Sequence, residues 1–150
     1  MFTFLRTDST NADFIHLVNE LTAYFAVIDG EDHAFYNQFN KIENLKNVIV
    51  AYENNKAVGC GAIRPFSTGA MEVKRMYVIP GCRGKGIASK ILAELEIWAK
   101  ELGHNTCILE THKKQADAVA LYSKAGYKVI PNYGQYANIK TSVCFEKTLS

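Results

Sequence analysis

Residues 73–102 constrain the fold of this chain more than any other stretch. An apolar, strand-like run ends at Pro80, a short basic turn with two glycines follows, and an amphipathic helix begins at about Gly86. A turn at a helix start directs several unpaired backbone N–H groups at one point, where the helix dipole also favours negative charge. The stretch therefore predicts a strand, a turn and a helix that together hold a phosphate or diphosphate group.

Length and composition favour one soluble domain that spans residues 1–150. The chain has 150 residues, of which 48% are hydrophobic, enough for a substantial core. Its net charge of +2 is too small for the dense basic face of a nucleic-acid-binding protein. The N-terminus lacks a signal-peptide core, and no apolar run reaches membrane-spanning length. We therefore expect no nucleic-acid partner and no membrane partner.

The four cysteines predict a reducing compartment. They form no C-x-x-C pair and have no histidine nearby at metal-ligand spacing. Three of them lie in apolar strand-like runs, where a free thiol behaves as a small hydrophobic side chain. We expect four reduced thiols, a cytoplasmic protein and no metal. The four residues are Cys60, Cys82, Cys107 and Cys144.

Hydrophobic periodicity predicts an α/β fold with a mixed central sheet flanked by helices. The order of elements is β-α-α-β-β-β-α-β-α-β-β. Parallel crossovers are expected wherever a helix separates two strands. The predicted strands are residues 2–6, 48–52, 57–64, 71–79, 107–109, 127–130 and 141–147. The predicted helices are a first helix ended by Asp29 and Gly30, and then residues 31–46, 86–102 and 115–125.

Two helices have further signals. Thr10 and Asp13 resemble a capping pair at the start of the first helix. Apolar residues at helical spacing predict the buried faces of the first and third helices. For the first helix they are Phe14, Leu17, Val18, Leu21, Phe25 and Ile28. For the third they are Ile87, Ile91, Leu95, Trp98 and Leu102.

The strand before the turn changes its apolar parity by one residue. Met71 and Val73 are odd-numbered, whereas Met76 and Val78 are even-numbered. A β-bulge produces such a change, and a strand buried on both faces would explain it equally well. A bulge would separate this strand from its neighbour and leave backbone groups available to a ligand.

Two motifs in sequence order resemble the GNAT superfamily of N-acetyltransferases. The run Arg83-Gly84-Lys85-Gly86-Ile87-Ala88 fits that family's acyl-CoA-binding signature, R/Q-x-x-G-x-G/A, between a strand and a helix. The later run QADAVALYSKAGY, residues 115–127, resembles the family's fourth helix, which often carries a tyrosine near the coenzyme sulfur. The resemblance covers the chain after Val48, and the first 45 residues match only in element order.

Other uses of glycine fit less well. A P-loop requires G-x-x-x-x-G-K-S/T, which the sequence lacks. A dinucleotide-binding turn requires a third glycine where Ser89 stands, and it follows the first strand of the fold. A tight turn that merely needs glycine remains open.

The resemblance implies a single-domain acyltransferase that moves an acetyl group from acetyl-CoA, its co-substrate, to a primary amine. The amine would attack the thioester directly in a ternary complex. Backbone N–H groups of the turn would hold the diphosphate, and two strand residues would bond the pantetheine arm through their backbone. The implied coenzyme-binding residues are Met76, Val78, Arg83, Gly84, Lys85, Gly86, Ile87, Ala88, Ser89, Gln115 and Lys124.

The resemblance also implies a base and an acid. An alkylamine with a pKa of about 10 is mostly ammonium at neutral pH and needs a route to lose its proton. Glu72 matches the position of a glutamate that serves some family members as the base, and Glu110 and His112 are alternatives. Tyr122 matches the tyrosine that gives a proton to the leaving thiolate.

The acceptor is the least constrained part of the sequence. The resemblance places its site between the early helices and the loop before the last strand, and aromatic walls suit an amine with an apolar part. We expect a small molecule or amino acid, with a peptide or protein acceptor and a non-catalytic acyl-CoA-binding module as alternatives. Since family members often pair, a homodimer is also open. The main candidates for acceptor binding are Tyr24, Tyr36 and Tyr133, and the secondary candidates are His33, Phe35 and Tyr136.

Overall fold

A computed structural model describes residues 1–29 and 44–150 of the chain, with the side chains of residues 1–24 and 44–150. Seven strands form one mixed sheet in the order β1-β2-β3-β4-β5-β7-β6. The strands are β1 Phe2–Thr7, β2 Asn47–Glu53, β3 Lys56–Ser67, β4 Ala70–Val78, β5 Thr106–His112, β6 Lys128–Ile130 and β7 Ser142–Thr148. The helices are α1 Ala12–Asp29, α2 Ile87–Glu101 and α3 Ala116–Lys124.

The predicted fold class is confirmed. β4 and β5 are parallel across the α2 crossover, and the other strand pairs are antiparallel. Residues 31–43 of the predicted second helix lie outside the described residues, and residues 44–46 are not helical. No helix in the described ranges combines the length and the apolar character needed to cross a bilayer.

The sheet separates two hydrophobic clusters because alternate strand residues face opposite sides. Val48 and Val50 pack with α1 on one face, here called the α1 face. Ile49 and Ala51 pack with α2 on the other, the α2 face. The α2 face also holds Tyr122 of α3, so the two faces carry different helices.

Local capping differs from the prediction at α1. Asn11, not Thr10, caps the helix, since its Oδ1 accepts the Phe14 N–H at 2.9 Å. Thr10 instead donates to Asp8. Asp13 accepts the Tyr52 hydroxyl at 2.7 Å and so ties α1 to β2. The cap lies one residue later because Asp8 already holds Thr10 in a turn.

The buried face of α2 departs from the predicted stripe in its last turns. Leu92 and Ala99 are buried, whereas Trp98 is only partly buried and Leu102 is exposed. Trp98 lies under the Arg6 guanidinium, 4.7 Å from its ring centroid. The predicted set followed regular helical spacing from Ile87 and therefore did not include Leu92 and Ala99.

The predicted bulge is present in β4. Cys60 pairs with Tyr77 and Ala62 pairs with Lys74, so two β4 residues oppose Gly61. Arg75 takes the extra position with a left-handed φ of 62°. The pairing of β4 with β5 ends at Glu72, before the bulge. The bulge therefore lies where the parallel strands β4 and β5 separate. Its extra residue explains why the apolar positions change from odd to even numbers along β4.

Gly59 of β3 lies opposite Val78 of β4, where there is no room for a side chain. A Cβ there would lie 2.9 Å from the Tyr77 carbonyl oxygen and 3.1 Å from Ile91. We expect Gly59→Ala to lower the free energy of unfolding by about 2 kcal/mol, as overpacking does in cores. Gly81→Ala is the matched control, since nothing lies within 4 Å of its Cβ. Urea unfolding of the two variants tests this, and equal stability would contradict the packing described.

Candidate active site

A cavity of about 680 Å³ runs through the gap between β4 and β5. Leu21 and Tyr24 of α1 line one end, and the first turn of α2 and Tyr122 line the other. The strand edges β4 and β5 form its walls. Because α1 and α2 cover opposite faces of the sheet, two molecules can enter the cavity from different sides and meet within the sheet.

The turn before α2 presents uncapped backbone N–H groups to this cavity. Gly84 and Gly86 have φ values of 82° and 80°, which favour glycine. Gly86 is the N-cap of α2 and makes no side-chain cap bond, and the first turn holds no acid. Ile87, Ala88 and Ser89 line the cavity at this point. Unpaired amides at a helix start without acidic residues are features that favour an anion such as a diphosphate.

The cationic side chains of the turn have partners within the protein. Lys85 Nζ lies 3.4 Å from Glu53 Oε1. Arg83 donates from Nε to the Val78 carbonyl at 2.9 Å, and its guanidinium lies over the rings of Tyr24 and Tyr77. The backbone of the turn is therefore what faces an anion in this arrangement.

The free edge of β4 points backbone groups into the gap. The Ile79 N–H donates to the Val58 carbonyl at 2.9 Å, so residue 79 bonds toward β3. Backbone groups alternate in direction along a strand, which directs those of Val78 and Met76 toward β5. An extended chain with amide groups can bond this edge as a short added strand.

Tyr122 lies in the wall of the cavity and is 6% exposed. Its ring packs against Tyr127 and Phe145, with centroids 5.9 and 6.0 Å apart. Burial, with a smaller effect of the Glu110 charge, raises the pKa of Tyr122 above its ordinary value. Its hydroxyl therefore stays protonated and available as a donor.

The two other predicted coenzyme contacts lie at the two ends of α3. Gln115 precedes the helix and lines the cavity. Lys124 is exposed in the last turn of α3, outside the cavity lining. The structure thus brings Gln115 to the site and leaves Lys124 on the surface beside it.

Glu72 has different partners from those that a base needs. Its side chain is 1% exposed and lies outside the cavity lining. One carboxylate oxygen accepts from Arg64 Nε at 3.0 Å, and the other accepts from the Tyr133 hydroxyl at 2.6 Å. Each oxygen accepts one hydrogen bond, so this carboxylate ties Arg64 to Tyr133.

The two alternative bases both line the cavity. Glu110 is partly buried near the end of β5 and accepts from the Ser142 hydroxyl at 2.7 Å. His112 Nδ1 accepts the Lys114 backbone N–H at 3.0 Å. A neutral imidazole that accepts at Nδ1 carries its proton on Nε2, so His112 has no second acceptor nitrogen.

Of the residues predicted to bind the acceptor, some line the cavity and others do not. Tyr24 lines the cavity from α1. Tyr133 lies behind the cavity, with its ring against Phe66 and Tyr136. Tyr136 is fully buried. His33, Phe35 and Tyr36 lie outside the described residues.

The sequence analysis did not single out Arg75 as a site residue. Arg75 lines the cavity at the bulge, and its side chain is buried. Burial lowers its pKa to about 10, well above neutrality, so it stays charged. The parity change pointed to the bulge, but no sequence signal shows which way a side chain on the extra residue turns.

Comparisons with known proteins show which family this chain resembles in sequence. Residues 14–127 match the sequence model of the family described as acetyltransferase (GNAT). A protein of Azospirillum brasilense named IAA acetyltransferase is 38% identical over 102 residues, 67% of this chain and 67% of that protein.

Solved structures show the same fold. A Klebsiella pneumoniae protein described as an acyl-CoA N-acyltransferase has a TM-score of 0.84 and 32% identity, over 100% of this chain and 99% of that one. The PaiA N-acetyltransferase of Thermoplasma acidophilum, solved in complex with coenzyme A, has a TM-score of 0.71 at 18% identity. That match covers 99% of both chains and shows the fold alone.

Proposed function

The chain belongs to the GNAT family of acetyltransferases, and we propose that it transfers an acetyl group from acetyl-CoA to a primary amine on a small molecule. One observation carries the proposal: a cavity through the sheet has uncapped helix amides at one end and Tyr122 in its wall. A diphosphate carrier with a reactive end fits that arrangement. An amine enters from the α1 face.

The coenzyme fits the residues present at three points along its length. The amides of Gly84 to Ser89 bind the diphosphate. The edge of β4 at Met76 and Val78 bonds the amides of the pantetheine arm. The thioester then lies near Tyr122 in the separated part of the sheet, and Gln115 adds a polar contact on the α3 side.

The proposed reaction needs no covalent enzyme intermediate. The amine nitrogen attacks the thioester carbonyl carbon, the carbon–sulfur bond breaks, and the thiolate accepts a proton from Tyr122. The ammonium first loses one proton to form the neutral amine, and the attacking nitrogen loses a second proton as the amide forms. Both protons pass through the base to solvent, solvent returns one to Tyr122, and an amide and a free thiol leave the site. Cys82 lies at the diphosphate end of the cavity, 3.9 Å from Glu53, and is poorly placed to carry the acetyl group.

We assign the base role to Glu110 rather than Glu72. Glu110 faces the cavity and interacts with Tyr122 electrostatically. It takes the amine proton directly or through one water molecule. Glu72 keeps Arg64 and Tyr133 in place from behind the cavity.

Glu110→Gln tests this assignment. We expect kcat at pH 7 to fall by about 100-fold, as for loss of a general base. The deficit should shrink toward pH 9, because more of an amine with a pKa of about 10 is then neutral without help. Glu146→Gln, an exposed glutamate of β7, is the control. A deficit that stays constant across pH would remove Glu110 from the base role.

Acetyl transfer itself is tested by release of free thiol from acetyl-CoA with a panel of amines. A thermal-shift series with acetyl-CoA, nicotinamide and adenine nucleotides tests binding, because a ligand of the folded state raises the midpoint. We expect a shift with acetyl-CoA and thiol release with at least one amine. Binding without turnover on any amine would instead favour a non-catalytic acyl-CoA-binding module.

A further inference from the structure

Arg75 is a buried arginine in the wall of the cavity. It is 6% exposed, and within the described residues its Nη2 has no hydrogen-bond partner. A buried donor without an acceptor is costly, and a guanidinium has no neutral form at working pH. The side chain is therefore arranged for an acceptor group that a ligand brings.

The backbone at Arg75 supports this interpretation. Its φ of 62° is a left-handed backbone conformation. This conformation is strained for a residue that has a Cβ atom, but not for glycine. Strain of this kind is retained mainly at ligand and active sites. Here the strained residue is a buried arginine in the cavity lining, just after the pairing of β4 with β5 ends.

The charges around Arg75 leave an excess of positive charge. Lys74 interacts electrostatically with Glu72, Arg64, Arg75 and Glu110. Arg64 and Glu72 form an ion pair at 3.0 Å. The remaining charged neighbours of Lys74 are Arg75 and the carboxylate of Glu110, so these three groups have a formal net charge of +1 among the described residues. An anionic ligand would balance it.

That anion belongs to the acceptor and not to the coenzyme. The Arg75 carbonyl accepts from the Cys60 thiol at 3.3 Å, and Cys60 packs with α1. The diphosphate site lies at the first turn of α2, on the other face of the sheet. The two positions are thus suited to two different molecules.

We propose that the acceptor amine also carries a carboxylate, as an amino acid does, and that Arg75 binds this carboxylate. The proposal rests on the proposed acetyl transfer. The planar guanidinium matches the two oxygens of a carboxylate and discriminates it from a carboxamide. The positive charges nearby also favour the neutral, attacking form of the amine.

The test uses pairs of acceptors that differ in one group. Each common amino acid is compared with its carboxamide at saturating acetyl-CoA, by thiol release. We expect the wild-type chain to prefer the carboxylate member of its best pair by about 10- to 100-fold in kcat/KM, the range of a charge-assisted bond. In Arg75→Gln this preference should collapse to about twofold, with KM for acetyl-CoA unchanged. Arg75→Lys should recover part of it.

Arg6→Gln is the control, since it makes the same substitution on β1 away from the cavity. The unchanged KM for acetyl-CoA also shows that Arg75→Gln is folded. Equal turnover of both members of each pair by the wild-type chain would overturn this inference alone. An equal loss of kcat/KM on the amino acid and on its carboxamide in Arg75→Gln would also overturn this inference. No thiol release on any pair or other amine would overturn the proposed acetyl transfer and this inference with it.

Discussion

Tyr122→Phe should lower kcat by about 1,000-fold, within the range for loss of a positioned general acid, and leave the affinity for acetyl-CoA nearly unchanged. The substitution removes only the hydroxyl, so the ring contacts with Tyr127 and Phe145 remain. Stopped assays of thiol release at saturating acetyl-CoA and amine measure kcat, and calorimetry measures the affinity.

The pH dependence sharpens this prediction. Because burial raises the pKa of Tyr122, its hydroxyl stays protonated throughout the assay range. The rise of rate between about pH 6 and 9 therefore reports on the amine and its base, not on Tyr122. Tyr122→Phe should keep the shape of this profile and lower it uniformly.

Tyr127→Phe is the matched control for the hydroxyl. Tyr127 is also buried, but its hydroxyl donates to Glu96 at 2.9 Å, outside the cavity lining. We expect it to lose about 1 kcal/mol of stability with kcat within twofold of wild type. Equal turnover by Tyr122→Phe and wild type across pH would remove Tyr122 from the mechanism.

Ser89→Asp should weaken acetyl-CoA binding by about 1,000-fold while the folded state becomes slightly more stable. Ser89 is in the first turn of α2 and lines the cavity, and that turn holds no acid. An aspartate there stabilises the helix by about 0.5 kcal/mol through its dipole. A like charge about 4 Å from the diphosphate costs roughly 4 kcal/mol at a protein surface, which gives the loss of affinity.

Ser89→Asn is the control for this prediction, since it has nearly the shape of aspartate without the charge. We expect its affinity for acetyl-CoA to lie within about tenfold of wild type. Calorimetry and thermal unfolding of the two variants give both quantities. Acetyl-CoA affinity that is equal in Ser89→Asp and Ser89→Asn would place the diphosphate elsewhere.

Local sequence signals predicted the features whose cause is local. The glycines before α2 predicted the turn because their left-handed φ values depend on the residue itself. The parity change between Val73 and Met76 indicated a bulge, which the register of β3 and β4 confirms. Tyr122 was indicated instead by the resemblance of residues 115–127 to a family helix, and it lies in the cavity wall.

The rest depended on contacts between residues far apart in sequence. Glu72 accepts from the hydroxyl of Tyr133, which is 61 residues away, so its partner could not be predicted from spacing along β4. Lys85, in the turn before α2, forms an ion pair with Glu53 at the end of β2. Spacing along one strand or turn shows the position of a side chain, but not which distant partner occupies it.

The central claim is that the backbone turn from Gly84 to Ser89 grips the diphosphate of acetyl-CoA, so that its thioester reaches Tyr122 between β4 and β5. A crystal structure of the chain with acetyl-CoA tests it most directly. The account predicts diphosphate oxygens within about 3 Å of these amides and the sulfur beside the Tyr122 hydroxyl. A diphosphate bound elsewhere, with the gap between β4 and β5 left without the pantetheine arm, would contradict it.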